Sequence, residues 1–228
     1  MTSLLFICVR EEAVERRGAS GLVQEWLAGL RLGFRSRLIL RILLAACVAN
    51  FALVPLDIIL TAWVKGPMHG GSFLLGVMSG GFAAGAIAGG MVLGAVAERA
   101  QLKTILAGGL TALGVCVGAV GLWPNAVWDT SLIVVGGVAV GLLNGSLSAL
   151  FLSVVPESMR GRMAGALGAF STFTGPVGVS LFGALMVHLP LSALWFLIGG
   201  LVVASGLSFF VPVENDVERV LAGAAAAG

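Results

Sequence analysis

The sequence predicts an all-α membrane protein with six transmembrane helices. Three observations carry that prediction. Only 11% of the 228 residues are charged, against about 25% in soluble domains, and mean hydropathy is +1.06. The charges are bunched, and the stretches between them reach about 20 apolar residues, enough to cross about 30 Å of hydrocarbon as a helix. These stretches also lack the alternation of apolar and polar residues, over about ten positions, that a membrane β-barrel strand requires.

The chain opens on MTSLLFICV. This segment has an apolar core of about eight residues and no basic flank before it, and it runs directly into Arg10, Glu11 and Glu12, so it does not read as a signal peptide. Residues 10–20 read as exposed linker. In GLVQEWLAGLRLGF, Leu22, Val23, Trp26, Leu27, Leu30 and Phe34 recur at helical spacing, while Gln24, Glu25, Arg31 and Arg35 fall on other faces. The pattern fits a helix lying on a lipid surface with its arginines near anionic headgroups, or an amphipathic linker helix packed on protein. Residues 1–38 are therefore read as a cytoplasmic linker with an amphipathic interfacial helix. Residues 39–212 are the six-helix membrane domain, and 213–228, ending AGAAAAG, a disordered cytoplasmic tail.

The predicted spans are A (about 39–63), B (about 72–97), C (about 104–123), D (about 130–154), E (about 163–188) and F (about 191–211). The connectors are KGPMHGGS (65–72), ERAQLK (98–103), PNAVWD (124–129), PESMRGR (156–162) and HLPLS (188–192). Non-helical backbone belongs at the membrane surfaces, because hydrocarbon offers its polar groups no partner. Arg10, Arg16, Arg17, Arg31, Arg35, Arg37 and Arg41 precede or open span A. Arg99 and Lys103 lie between B and C, Arg160 and Arg162 between D and E, and Arg219 in the tail. All fall on one side of a six-span chain, and only Lys65 falls on the other. The excess of basic residues marks the cytoplasmic side, which puts both termini and the B–C and D–E loops in the cytoplasm of a cell (inner or plasma) membrane. Trp123 and Trp128 suit an interfacial aromatic belt on the outer side.

Polar residues at bilayer depth are costly and mark function by default. Span A carries Asn50 near its centre and Asp57 in its outer third, seven positions apart and hence on one face, with Thr61 one turn on. Span D carries Asn144, with Ser148 and Phe151 continuing its face. These two stripes suit a water-filled cavity at the midplane that binds substrate, or hydrogen bonds that hold helices together. Asp57 reads as a gating group or as a carboxylate solvated at the outer mouth. It is the only acidic residue read as lying inside a span core.

Pro55 removes a helical hydrogen bond between Asn50 and Asp57. Gly175 and Pro176 soften the middle of span E. Gly81, Gly85 and Gly89 fall on one face of B, Gly137, Gly141 and Gly145 on one face of D, and Gly114 and Gly118 on one face of C. Small residues four apart let helix backbones approach closely.

Other chemistries find little support. Cys8, Cys47 and Cys116 are far apart, and His69 and His188 are isolated, so no metal-ligand or redox spacing exists. The midspan glycines lack the Lys-Ser/Thr of a phosphate loop. No second carboxylate or paired base accompanies Asp57, which argues against an enzyme. The arginines flank spans rather than form a basic domain with stacking aromatics, which argues against nucleic-acid binding. No cofactor is expected.

Over about residues 20–212 the sequence resembles the C-terminal half of a major facilitator superfamily transporter. RSRLILRILLAACVANFALVPLDIIL looks like the seventh helix of the drug- and siderophore-exporting branch. GAVAERAQLK is similar to the family's loop signature Gly-x-x-x-Asp-Arg-x-Gly-Arg-Arg/Lys, with Gly94, Glu98, Arg99 and Lys103 on matching positions and Gln101 and Leu102 replacing the later glycine and first terminal arginine. LLNGSLSALFLSVVPESMRGRMAG looks like the tenth helix and the loop after it, the most specific match.

The resemblance implies that A–B–C and D–E–F are inverted repeats, with Asn50 and Asn144 at roughly equivalent depths. It implies a cavity lined by A and D, and gating roles for Gly94, Glu98, Arg99, Lys103, Glu157, Arg160 and Arg162. It also implies MTSLLFICV as the end of a preceding helix. The family usually has two such halves, so the expected partner is an N-terminal six-helix half or a second copy. The expected function is export of small amphipathic molecules by alternating access, coupled to a proton or ion gradient. The alternative is a truncated, non-transporting scaffold or accessory half.

Overall fold

The computed structural model describes residues 37–96, 102–154 and 160–210. The amphipathic segment over 22–34, the tail, Glu98, Arg99 and Glu157 lie outside the described residues, as do the side chains of Lys103 and Arg162. The described residues are helical, with no strand among them. In chain order the helices are α1 (Arg37–Leu53), α2 (Leu56–Lys65), α3 (Ser72–Val96), α4 (Leu102–Val120), α5 (Ala126–Val154), α6 (Arg160–His188) and α7 (Leu191–Leu207). A 3₁₀ turn, Ser208–Phe210, follows α7. Among the described residues three segments are long and apolar enough to cross a membrane: Ala46–Lys65, Ser72–Ala95 and Ala126–Leu152. Thr104–Val120, Phe173–His188 and Leu191–Leu207 are shorter apolar helices.

Span A is two helices. α1 ends at Leu53, and Pro55, with φ −67° and ψ −15°, starts α2. Proline has no N–H to donate and its ring crowds the preceding turn, so the ladder stops with Val54 N–H on the Asn50 carbonyl and resumes with Ile59 N–H on the Pro55 carbonyl. Pro176 acts differently, since α6 runs through it from Arg160 to His188.

Two connectors are shorter than expected. α5 starts at Ala126, so Val127, Trp128 and Asp129 are helical rather than connector. Asn125 explains the early start. Its Oδ1 accepts the N–H groups of Val127 (3.0 Å) and Trp128 (3.1 Å), capping the helix. Likewise Arg160, Gly161 and Arg162, expected in a loop, form the first turn of α6. The Arg160 guanidinium donates to the Leu152 carbonyl at 3.0 Å, satisfying a carbonyl at the end of α5. Gly161 has no positive φ, so nothing there requires a glycine.

The helices pack as a chain of neighbours: α3 on α5, α5 on α4, α4 on α7, α7 on α1, and α1 on α6. The core lies where α4 meets its partners. Leu110, Leu113 and Val117 pack among Ala139 and Leu143 of α5 and Leu194, Ile198 and Val202 of α7. Phe182 of α6 is fully buried and meets Phe51 of α1 at a ring separation of 5.6 Å.

The glycine stripes face one another. A Cβ added at Gly85 or Gly89 of α3 would collide with the carbonyls of Val134 or Val138 of α5. One at Gly137 or Gly141 of α5 would collide with the carbonyls of Phe82 or Ala86 of α3. A Cβ added at Gly114 of α4 would likewise lie 2.6–2.7 Å from Val203 and Gly199 of α7. Lipid tails are as apolar as leucine, so such close backbone approach supplies much of the attraction between helices in a membrane. The outward faces are apolar as well: Phe73 is 87% exposed and Met91 73%.

Candidate functional site

A cavity of about 260 Å³ opens inside the bundle. It begins at the break in span A, where Leu53, Leu56, Asp57 and Leu60 line it. Met78, Ser79 and Phe82 of α3, Leu113 to Val120 of α4, Leu132 to Val140 of α5, and Trp195 of α7 complete it. The lining is mostly apolar, with Asp57 and Ser79 supplying a carboxylate and a hydroxyl.

Pro55 sets the position of Asp57. By ending one helix and starting the next, it puts Asp57 in the first turn of α2, where the helix dipole favours negative charge. Asp57 is exposed, so it sits at the cavity rim as an accessible carboxylate. Thr61 donates to the Asp57 backbone carbonyl at 2.8 Å, not to its carboxylate.

The other polar stripe residues do not line this cavity. Asn50 is half-buried and donates to the Ala46 carbonyl of its own helix at 2.9 Å. Asn144 and Ser148 are exposed, while Ser146 between them is fully buried, so the Asn144 face of α5 points out of the bundle. Phe151 is half-buried. Gly94 is exposed with open space around it, Gly175 touches Val54, and Pro176 is exposed. The cavity therefore joins Asp57 to Ser79, Cys116 and Trp195, a grouping that single-helix faces cannot reveal.

A second polar group, in the connector that the sequence predicts over 124–129, is buried. Asp129, in the first turn of α5, is fully buried and accepts the Trp63 indole N–H at 2.8 Å. Asp57 is thus not the only acid within a span. Trp63 in turn packs edge-on to Trp195, with ring centroids 6.3 Å apart. The Asn125 cap is the sequence signal that could have moved Asp129 into the helix; its burial depends on tryptophans far away in sequence.

Among the described residues, helices of membrane-spanning length and apolar outward faces are those of an integral membrane protein. A family model described as Major Facilitator Superfamily matches residues 1–179, and the chain belongs to that superfamily. The match begins upstream of the segment on which the resemblance rested and ends inside α6. This is a transporter family and not an enzyme family, so the function is of transporter type, in a lipid bilayer and on a small-molecule substrate. No curated protein and no solved structure matches the chain.

Proposed function

We propose that the chain is the C-terminal six-helix half of a secondary transporter of the drug- and siderophore-exporting branch. It exports small amphipathic molecules by alternating access, driven by a proton or ion gradient. The observation that carries the substrate class is the cavity: about 260 Å³, mostly apolar, with the Asp57 carboxylate at its rim. An apolar pocket with few placed polar groups suits a small molecule with an apolar body and one polar end.

In this reading the exposed Asn144 and Ser148 face an N-terminal half or a second copy, and the larger substrate path runs between the two halves. The halves rock about the D–E and B–C connections, where Gly94, Lys103, Arg160 and Arg162 on the flanking helix ends form the inner gate with Glu98, Arg99 and Glu157. Both termini lie in the cytoplasm, on the side where the basic residues collect.

The test is efflux from vesicles holding the chain in its competent assembly. Asp57→Asn is expected to lower efflux about tenfold, the scale of one lost charge-assisted contact, and Asn144→Leu to lower it by blocking the path. Unchanged efflux in both variants refutes the site. A strict monomer that moves nothing and has no six-helix half encoded beside it makes the chain an accessory scaffold instead.

A further inference from the structure

Asp129 has no part in the cavity lining, yet its surroundings are unusual for a structural carboxylate. It is 0% exposed. Its Oδ2 accepts the Trp63 indole N–H at 2.8 Å, and its Oδ1 has no hydrogen-bond partner among the described residues. Trp195, 3% exposed and edge-on to Trp63, also leaves its indole N–H unpartnered. Buried polar atoms are nearly always paired, and an exception calls for a reason.

Among the described residues no cation is paired with this carboxylate. On α2, Lys65 lies two positions beyond Trp63 and is exposed, and Asp57 lies at the other end of the helix. His69, in the turn after α2, and His188, at the end of α6, are exposed. α4 contributes Cys116, and Lys103 at its far end. α3 and α7 contain no titratable residue, and Asp129 is the only one on α5.

Opposing effects therefore act on the two charge states. The anion gains the Trp63 N–H, the nearby backbone N–H of Asn125 and the positive end of the α5 dipole. The neutral acid avoids burying a charge that lacks a counter-ion. Neither state has a full set of partners, and that balance is the condition for exchange of a proton within a fixed fold.

We propose that Asp129 is a proton-binding site of the folded bundle, taking up and releasing a proton at Oδ1 while Trp63 stays hydrogen-bonded to Oδ2. The proton exchanges with water and no other bond is made or broken. The consequence is mechanical. An N–H donated to a carboxylate is about twice as strong as one donated to a neutral acid, so proton uptake loosens the tie between α2 and α5. Leu132 and Ile133, one turn along from Asp129 on the same face of α5, line the cavity, so the proton acts next to it. The site needs only the folded bundle, whether or not the chain moves a substrate.

The test is pH-difference infrared spectroscopy of the full chain in phosphatidylcholine vesicles, reading the carboxylic-acid carbonyl band over about pH 4–9. A reversible component of that band is expected that Asp129→Asn removes and Asp57→Asn retains. Asparagine keeps an oxygen for Trp63, so the variant is expected to fold. Trp63→Phe keeps most of the packing and removes the N–H that favours the ionised form, so it is expected to move the band's midpoint to higher pH. Identical pH-difference bands in the native chain and Asp129→Asn, or a midpoint of the Asp129-dependent component unmoved in Trp63→Phe, overturns the proposal.

Discussion

Gly141→Leu is expected to abolish the monodisperse bundle in detergent, while Gly80→Leu leaves it intact. Both are helical glycines, on α5 and α3. A Cβ at Gly141 would collide with the Ala86 carbonyl and lie 2.8 Å from the Gly90 nitrogen, whereas one at Gly80 meets nothing within 4 Å. The atoms at Gly141 are backbone, so no rotamer change relieves the clash, and α3 must move away along the whole stripe. Even alanine there is expected to cost about 1–3 kcal/mol of overpacking. Gly80→Ala, with nothing to displace, is expected to stabilise by about 0.5–1 kcal/mol through lower chain entropy in the unfolded state. Unfolding by graded detergent denaturation reads both signs. Equal behaviour at the two positions would mean that the α3–α5 contact is looser than the structure draws it.

This contact was half legible in the sequence. A spacing of four puts Gly81, Gly85 and Gly89 on one face, and likewise Gly137, Gly141 and Gly145, because the helical period is local. That the two faces meet each other depends on how distant segments pack, and no local period encodes it. Pro55 shows the same division. Its covalent ring announces a disturbed helix, but the cavity opening beside it needs α3, α4, α5 and α7 in place.

Asp129 failed to stand out for a different reason. Hydropathy assigns a charged residue beside Pro124 and Asn125 to the aqueous connector, and the preference of carboxylates for water supports that assignment. The Asn125 cap begins the helix four residues earlier than the apolar run does, and Trp63 of α2, itself packed edge-on to Trp195 of α7, then bonds the side chain. Arg160 and Arg162 were misplaced by the same rule. A charge near a membrane surface can occupy a helical turn as readily as a loop, and here the Arg160 contact with Leu152 favours the helix.

Trp63→Ala is expected to be among the most destabilising single changes at the α2 end of the bundle. Trp63 is 4% exposed and belongs to the core cluster with Ile59, Leu194 and Trp195. In lipid the transfer of its ring from water contributes little, because the unfolded reference is also apolar. The loss comes from the cavity left behind and the edge-on contact with Trp195, together about 3 kcal/mol. The substitution also strips Asp129 of the donor at Oδ2, a further cost of about 1–3 kcal/mol. Trp63→Phe separates the two effects, since it retains most of the packing and loses only the N–H. A double-mutant cycle with Asp129→Leu isolates the hydrogen bond. Once the carboxyl is gone, Trp63→Phe is expected to cost less than it does in the native background. A zero coupling energy would show that the Trp63–Asp129 contact, though 2.8 Å long and fully enclosed, does not hold α2 to α5.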